Sequence, residues 1–133
     1  MILADTSVLI DLFTGRENEG VRAFREALQQ GMPFGITSVI YQEILQGART
    51  RKEFMTLDEY LSTQRFFHPR DKLTTYAGAA EIYFSCRKKG ITIRSTIDCL
   101  IAQIALEHDL FLVHNDNDFT AMAPVIGLRV FGG

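Results

Sequence analysis

The sequence has no apolar run approaching the roughly 18 residues that a membrane span needs. Its amino terminus also has no basic segment leading into a long apolar stretch, so neither an anchor nor a secretory leader is expected. It has no long Pro/Gly/Ser-rich tract to serve as a linker. With 133 residues and 47% hydrophobic content, residues 1–133 are expected to form one domain with a sizeable core. Positive charge is not in excess, since 14 Lys+Arg face 16 Asp+Glu and leave a net charge of -2, which excludes a protein that holds nucleic acid by its overall charge. Local basic stretches remain at Arg49, Arg51 and Lys52, and at Arg87, Lys88, Lys89 and Arg94. Cysteine is scarce. Cys86 and Cys99 each lie in an apolar helical pattern and are expected to be buried free thiols of a cytoplasmic protein rather than a disulfide. His68, His108 and His114 show no zinc spacing, and the G-x-S-x-G, P-loop and G-x-G-x-x-G signatures are absent, which disfavours zinc, acyl-transfer and nucleotide-binding chemistry.

What the chain does contain is an alternation of short apolar runs with segments of helical period. MILA, residues 34–37, RFFHP, LFLVHN and LRVF read as strands. Helical spacing begins at Val8, at Val21 and, behind a Ser38 cap, at Val39; residues 51–64 form a further helix. The longest helix is read from Leu73, Tyr76, Ala77, Ala80, Tyr83 and Phe84, ending at Gly90, and the next from Ile97, Leu100, Ile101, Ile104 and Ala105 behind Ser95 or Thr96. Strands joined by helices in this order require crossover connections. The expected fold class is therefore α/β, with a central, mainly parallel sheet of about five strands flanked by helices on both faces.

Such sheets place their sites outside the carboxyl ends of the strands, which is where the acidic residues of this chain fall. Asp5 ends the first strand, Glu43 sits at the edge of a helix face, Asp98 occupies the first turn of a helix, and Asp116 and Asp118 follow LFLVH. Taken singly, Asp5 is an N-cap, Glu43 an exposed helical residue, Asp98 a favourable first-turn charge and NDND a turn. Taken together, one sheet edge gathers them, and clustered carboxylates in apolar surroundings call for a hard cation, Mg2+ or Mn2+. Thr6 or Ser7 would orient Asp5, Asn115 would hydrogen-bond a neighbouring carboxylate, and Arg94 is placed to reach a phosphate near the site or to stay a surface charge.

LADTSVLIDL at the start, Glu43 before LQGA, and IDCLIAQIALEHDLFLVHNDNDF late in the chain together resemble a PIN domain, and more narrowly the VapC-type toxins of toxin-antitoxin operons. The resemblance covers essentially the whole chain. It implies a Mg2+- or Mn2+-dependent ribonuclease whose acidic quartet is Asp5, Glu43, Asp98 and Asp116, with Asp118 a fifth candidate ligand. It also implies a homodimer neutralised by a cognate VapB-like antitoxin, with residues such as Phe13 and Phe54 as candidate partner contacts. Two other readings stay open on the residues alone: a PIN nuclease of RNA maturation or decay without an antitoxin, and a Mg-binding interaction module without catalysis. A response-regulator receiver fits poorly, because RFFHP supplies no Asp at its end and no Lys follows residue 89.

Overall fold

The computed structural model describes residues 1–132. Its centre is β1 (Ile2–Ala4), flanked by β2 (Phe34–Ile36) and β4 (Phe111–Val113), with β3 (Arg65–Phe66) outside β2; the order is β3-β2-β1-β4 and every pair is parallel. All three residues of β1 are buried, as a strand covered on both faces must be. The sheet has four strands rather than about five. LRVF contributes a single parallel bridge from Val130 to Leu112, whose N–H donates to Arg129 O at 2.8 Å and whose carbonyl accepts from Phe131 N–H at 2.9 Å. Gly127 (φ 69°) and Gly132 (φ 77°) turn the chain on either side, which leaves too few extended residues for a ladder.

The helices are α1 (Thr6–Phe13), α2 (Glu19–Gln29), α3 (Ser38–Gln46), α4 (Arg51–Leu61), α5 (Lys72–Lys88), α6 (Thr96–Glu107) and α7 (Asn117–Ile126). Most begin at a side-chain cap: Asp5, Asn18, Thr50, Asp71 and Asp116 each accept an N–H of the first turn. The cap of α3 is Thr37, whose Oγ1 accepts from Ile40 N–H at 3.2 Å, and Ser38 is the first helical residue. α7 is an element that the turn-like NDND and the helix-breaking Pro124 concealed. Buried Phe119 and Met122 hold it in place. One group of helices, α1 to α4, packs through α1·α2, α1·α3 and α3·α4, while α5, α6 and α7 pack mutually; α2 and α6 both touch β4.

The longest helix presents a different face from the one its large apolar residues suggest. Its buried residues are Thr75, Ala79, Ile82 and Cys86, whereas Leu73, Tyr76 and Phe84 are exposed at 83%, 53% and 51%. The reason is the closeness of α6. A Cβ at Gly78 would stand 2.7 Å from the Gln103 side chain, and Thr75 Oγ1 donates to the Glu107 carboxylate at 2.8 Å, so small residues fill the seam and bulky ones are left outside. On α6, Leu100, Ile101, Ile104 and Ala105 are buried as expected, and Ile97 is 40% exposed. Both cysteines are buried free thiols, and burial pushes Cys99 up to about 11.

Gly35 in β2 is constrained in a similar way, since an added Cβ would lie 2.5 Å from the Phe67 ring and 2.7 Å from Arg65 O. Gly35→Ala is expected to destabilise the fold by roughly 1–3 kcal/mol through overpacking of the β2–β3 edge, read from urea unfolding midpoints at unchanged slope.

Candidate metal centre

The sheet register brings the acidic segments together. Ala4 pairs with Val113, and Asp5 N–H donates to Val113 O at 3.0 Å, so the residue after β1 and the loop after β4 leave the sheet side by side. Asp5, itself 3% exposed, accepts from Ser7 N–H at 3.1 Å and from Ser7 Oγ at 2.7 Å, both through Oδ2. Ser7 Oγ accepts in turn from Asn115 N–H at 2.9 Å. One serine hydroxyl therefore ties the first acidic segment to the last. Beside it, Thr6 Oγ1 donates to Glu43 Oε1 at 2.8 Å, which fixes the α3 carboxylate against the start of α1.

Carboxylate oxygens of Asp98, Asp116 and Asp118 lie within 4.8 Å of one another. Asp116 caps α7 by accepting Asp118 N–H at 2.9 Å, and its own N–H donates to His114 Nδ1 at 3.0 Å. Burial holds His114 below its ordinary value, which suits a neutral ring whose Nδ1 accepts. Asp118 Oδ2 accepts from the N–H groups of Arg94 and Ser95 at 2.9 and 3.1 Å, thereby fixing the turn from which α6 and Asp98 begin. Neither the His114 contact nor the Asp118 contact has a sequence signal, because each joins backbone to a side chain across a turn or across 23 and 24 positions.

Asp98 is buried, and among the described residues its Oδ2 has no hydrogen-bond partner. Burial, reinforced by the Asp116, Asp5 and Asp118 carboxylates, pushes Asp98 well above the usual carboxylate range. Burial also pushes Asp5 up to about 6, against the lowering hydrogen bonds of Ser7. Among the described residues the salt bridges run from Arg16 to Asp11, Arg25 to Glu17 and Arg129 to Asp109, so none brings a cation to Asp5, Glu43, Asp98, Asp116 or Asp118. An all-oxygen donor set with one orphaned, buried carboxylate oxygen fits a hard divalent cation.

The structure thus gathers Asp98, Asp116 and Asp118 directly, links Asp5 to them through Ser7 and Asn115, and places Glu43 next to Asp5 through Thr6. Asn115 bonds a carboxylate outside the acidic cluster. Its side-chain amide donates to Asp11 at 2.9 Å, a carboxylate that the sequence did not single out. Arg94 is exposed, with its backbone committed to Asp118 and its side chain directed to solvent.

The PIN domain family model matches residues 2–124. The chain belongs to the PIN-domain family. It is 32% identical over 130 residues to Ribonuclease VapC11 of Mycobacterium tuberculosis, covering 97% of this chain and 96% of that protein. Among solved structures it resembles VapBC-1 from nontypeable Haemophilus influenzae (TM-score 0.74, 19% identity, 98% of this chain and 96% of the other). It also resembles a toxin-antitoxin complex from Klebsiella pneumoniae (TM-score 0.63, 26% identity, 98% and 97%). The PIN expectation and the α/β expectation are therefore met over nearly the whole chain.

A carboxyl with a higher pKa in the folded than in the unfolded chain keeps its proton where the unfolded chain has lost it, so folding stability falls as pH rises through that window. For Asp5 the window runs from the ordinary 3.8 to about 6, and above it the cost is on the order of 3 kcal/mol. Metal-free protein is thus expected to melt at a lower temperature near neutral pH than near about pH 5, with Mn2+ restoring most at the higher pH. Asp98→Asn should raise metal-free stability by about 1–2 kcal/mol and blunt the Mn2+ response, which scanning calorimetry with and without the ion checks.

Proposed function

We propose that the chain is a Mg2+- or Mn2+-dependent ribonuclease that hydrolyses RNA phosphodiester bonds and acts as the toxin of a VapBC-type pair. The observation that carries this reading is the convergence of Asp98, Asp116 and Asp118 around an unpartnered, buried carboxylate oxygen. The ribonuclease name of the 32% identical relative supports the activity, and the toxin-antitoxin complexes among the structural relatives support the pairing.

Asp5, Asp98 and Asp116 would hold the cation, with Asp118 contributing the oxygen not used for the Arg94–Ser95 turn. When bound, the ion supplies Lewis-acid polarisation of water and phosphate. Ser7 keeps Asp5 in one rotamer by donating to Oδ2, and Thr6 does the same for Glu43, leaving the second oxygen of each free to face the reaction. Glu43, half-buried, is the group that would orient the attacking water and take its proton. The exposed Arg94 guanidinium, just before the α6 turn, would pair with an RNA phosphate.

Two exposed apolar faces suit two protein partners. Along α1 and α4, Ile10, Phe13, Met55 and Tyr60 are 40–62% exposed, and the Phe13 and Tyr60 rings meet edge to face at 5.9 Å. This face begins at the acidic centre, where α1 starts, and would receive the VapB-like antitoxin. Phe54 is less available, being half-buried beneath Arg51. The second face combines Leu73, Tyr76 and Phe84 with Ile97, beside a largely apolar cavity of about 380 Å³ between α5 and α6, and would pack against a second copy of the chain in the cytoplasm.

Purified protein is expected to cut RNA into discrete fragments with Mg2+ or Mn2+, and cleavage should disappear with EDTA and in Asp5→Asn. Persistent absence of cleavage by folded, antitoxin-free protein across both metals and several RNA sources would instead favour a non-catalytic PIN scaffold. Tyr76→Glu with Phe84→Glu is expected to shift a dimer to monomer in analytical ultracentrifugation while the thermal midpoint changes little, because both rings are more than half exposed in one chain.

A further inference from the structure

The loop that carries Asp116 is clamped against α1 and the start of α2. Asn115 immediately precedes Asp116, and its Nδ2 donates to Asp11 Oδ2 at 2.9 Å and to Asn18 Oδ1 at 2.8 Å. Asn18 Nδ2 also donates to Asp11 Oδ2, at 3.0 Å, and Asn18 Oδ1 also accepts Val21 N–H at 3.0 Å as the cap of α2. A carboxylate only accepts, so it forces both amide NH2 groups to point at it and thereby fixes which way each asparagine faces. Gly20 completes the arrangement. A Cβ there would fall 1.9 Å from Asn115 Oδ1 and 2.7 Å from His114 O, so α2 can lie this close to the loop only because residue 20 has no side chain.

The same residue is held from the site side by its backbone, whose N–H donates to Ser7 Oγ, the hydroxyl that orients Asp5. Asn115 is therefore bonded to Asp11 and Asn18 at its side chain and to the Asp5 support at its backbone, one position before Asp116. We propose that Asp11 is a positioning residue that, through Asn18 and Asn115, sets the placement of Asp116 relative to Asp5 and so the affinity of the centre for its cation. This rests on the reading of the acidic centre as a metal-dependent nuclease site. Asp11 is placed as a support rather than a ligand: its Oδ2 is taken by two amides, and it is not among the grouped carboxylates Asp98, Asp116 and Asp118. Replacing it by Asn would set an NH2 or a single competing acceptor against two donors, and the clamp would lose its fixed orientation.

Residues that orient metal ligands typically contribute about 10–100-fold to metal affinity or activity. Asp11→Asn and Asp11→Ala are expected to weaken Mn2+ binding in isothermal titration calorimetry by about tenfold or more, with RNA cleavage recovering as Mn2+ is raised by the same factor. Gly20→Ala is the companion variant. It improves the helix propensity of α2 while displacing Asn115, so a merely structural role predicts unchanged metal binding, whereas positioning predicts the same loss of Mn2+ affinity. Wild-type Mn2+ affinity in folded Asp11 variants and in Gly20→Ala would overturn the proposal. If the unaltered chain binds no Mn2+, the nuclease reading fails, and the clamp is judged by amide exchange at Asn115 and Asp116. Faster exchange in Asp11→Ala supports it, and unchanged exchange refutes it.

Discussion

The pairing of β1 with β4 is the constraint on which the rest of the site depends. Ile2, Leu3 and Ala4 face Phe111, Leu112 and Val113 in strict register, and the ladder ends with Asp5 N–H on Val113 O. A slip of one residue would displace Asp5 by about 3.3 Å along the strand and turn its side chain to the other face of the sheet. Burial enforces the register, because the three β1 residues are covered on both faces and alternative pairings would expose or clash them. Centring β1 in the sheet then sets Asp5 between the loop after β4 and the helix that follows β2, which is where Asp116 and Glu43 stand.

Holding like charges together opposes folding, and the chain limits this by giving several of its carboxylates a second task. Asp5 and Asp116 cap α1 and α7, and Asp118 accepts the two N–H groups of the Arg94–Ser95 turn. Each such bond steadies a negative charge with oriented backbone dipoles before any cation is present. Asp98 has no such relief on Oδ2. The strain of the centre thus falls on Asp98 and Asp5, both raised by burial, rather than on all five carboxylates, the pattern of a site that gives up stability.

Much of this could be read from the sequence because local chemistry and function coincide. An Asp after a strand and before a helix is a cap by its spacing alone, and the position of the strand end in a parallel sheet makes it a candidate site residue as well. The two readings of Asp5 and of NDND, as ordinary turn chemistry and as members of an acidic cluster, are both correct. Sequence was less informative where contact distance decides. The inner face of α5 consists of Thr75, Ala79, Ile82 and Cys86 because α6 lies so near at Gly78, and no hydrophobic period reveals that spacing. The fifth strand was lost to Gly127 and Gly132, whose positive φ a composition pattern does not convey. Asp11 stayed hidden for a related reason, since its partners are 7 and 104 positions away and it lies within a helix whose apolar pattern draws the eye elsewhere.

The acidic centre is assembled from strand ends, helix starts and Glu43 within α3, whereas the exposed apolar residues of α1, α4, α5 and α6 lie on helix flanks that contribute nothing to the β1–β4 register. The two sets of positions are therefore free to drift independently. Substitutions along the flanks can redraw the outline of the molecule while the arrangement of Asp5, Glu43, Asp98 and Asp116 stays put, so what the outside of the molecule fits can change with the centre unaltered.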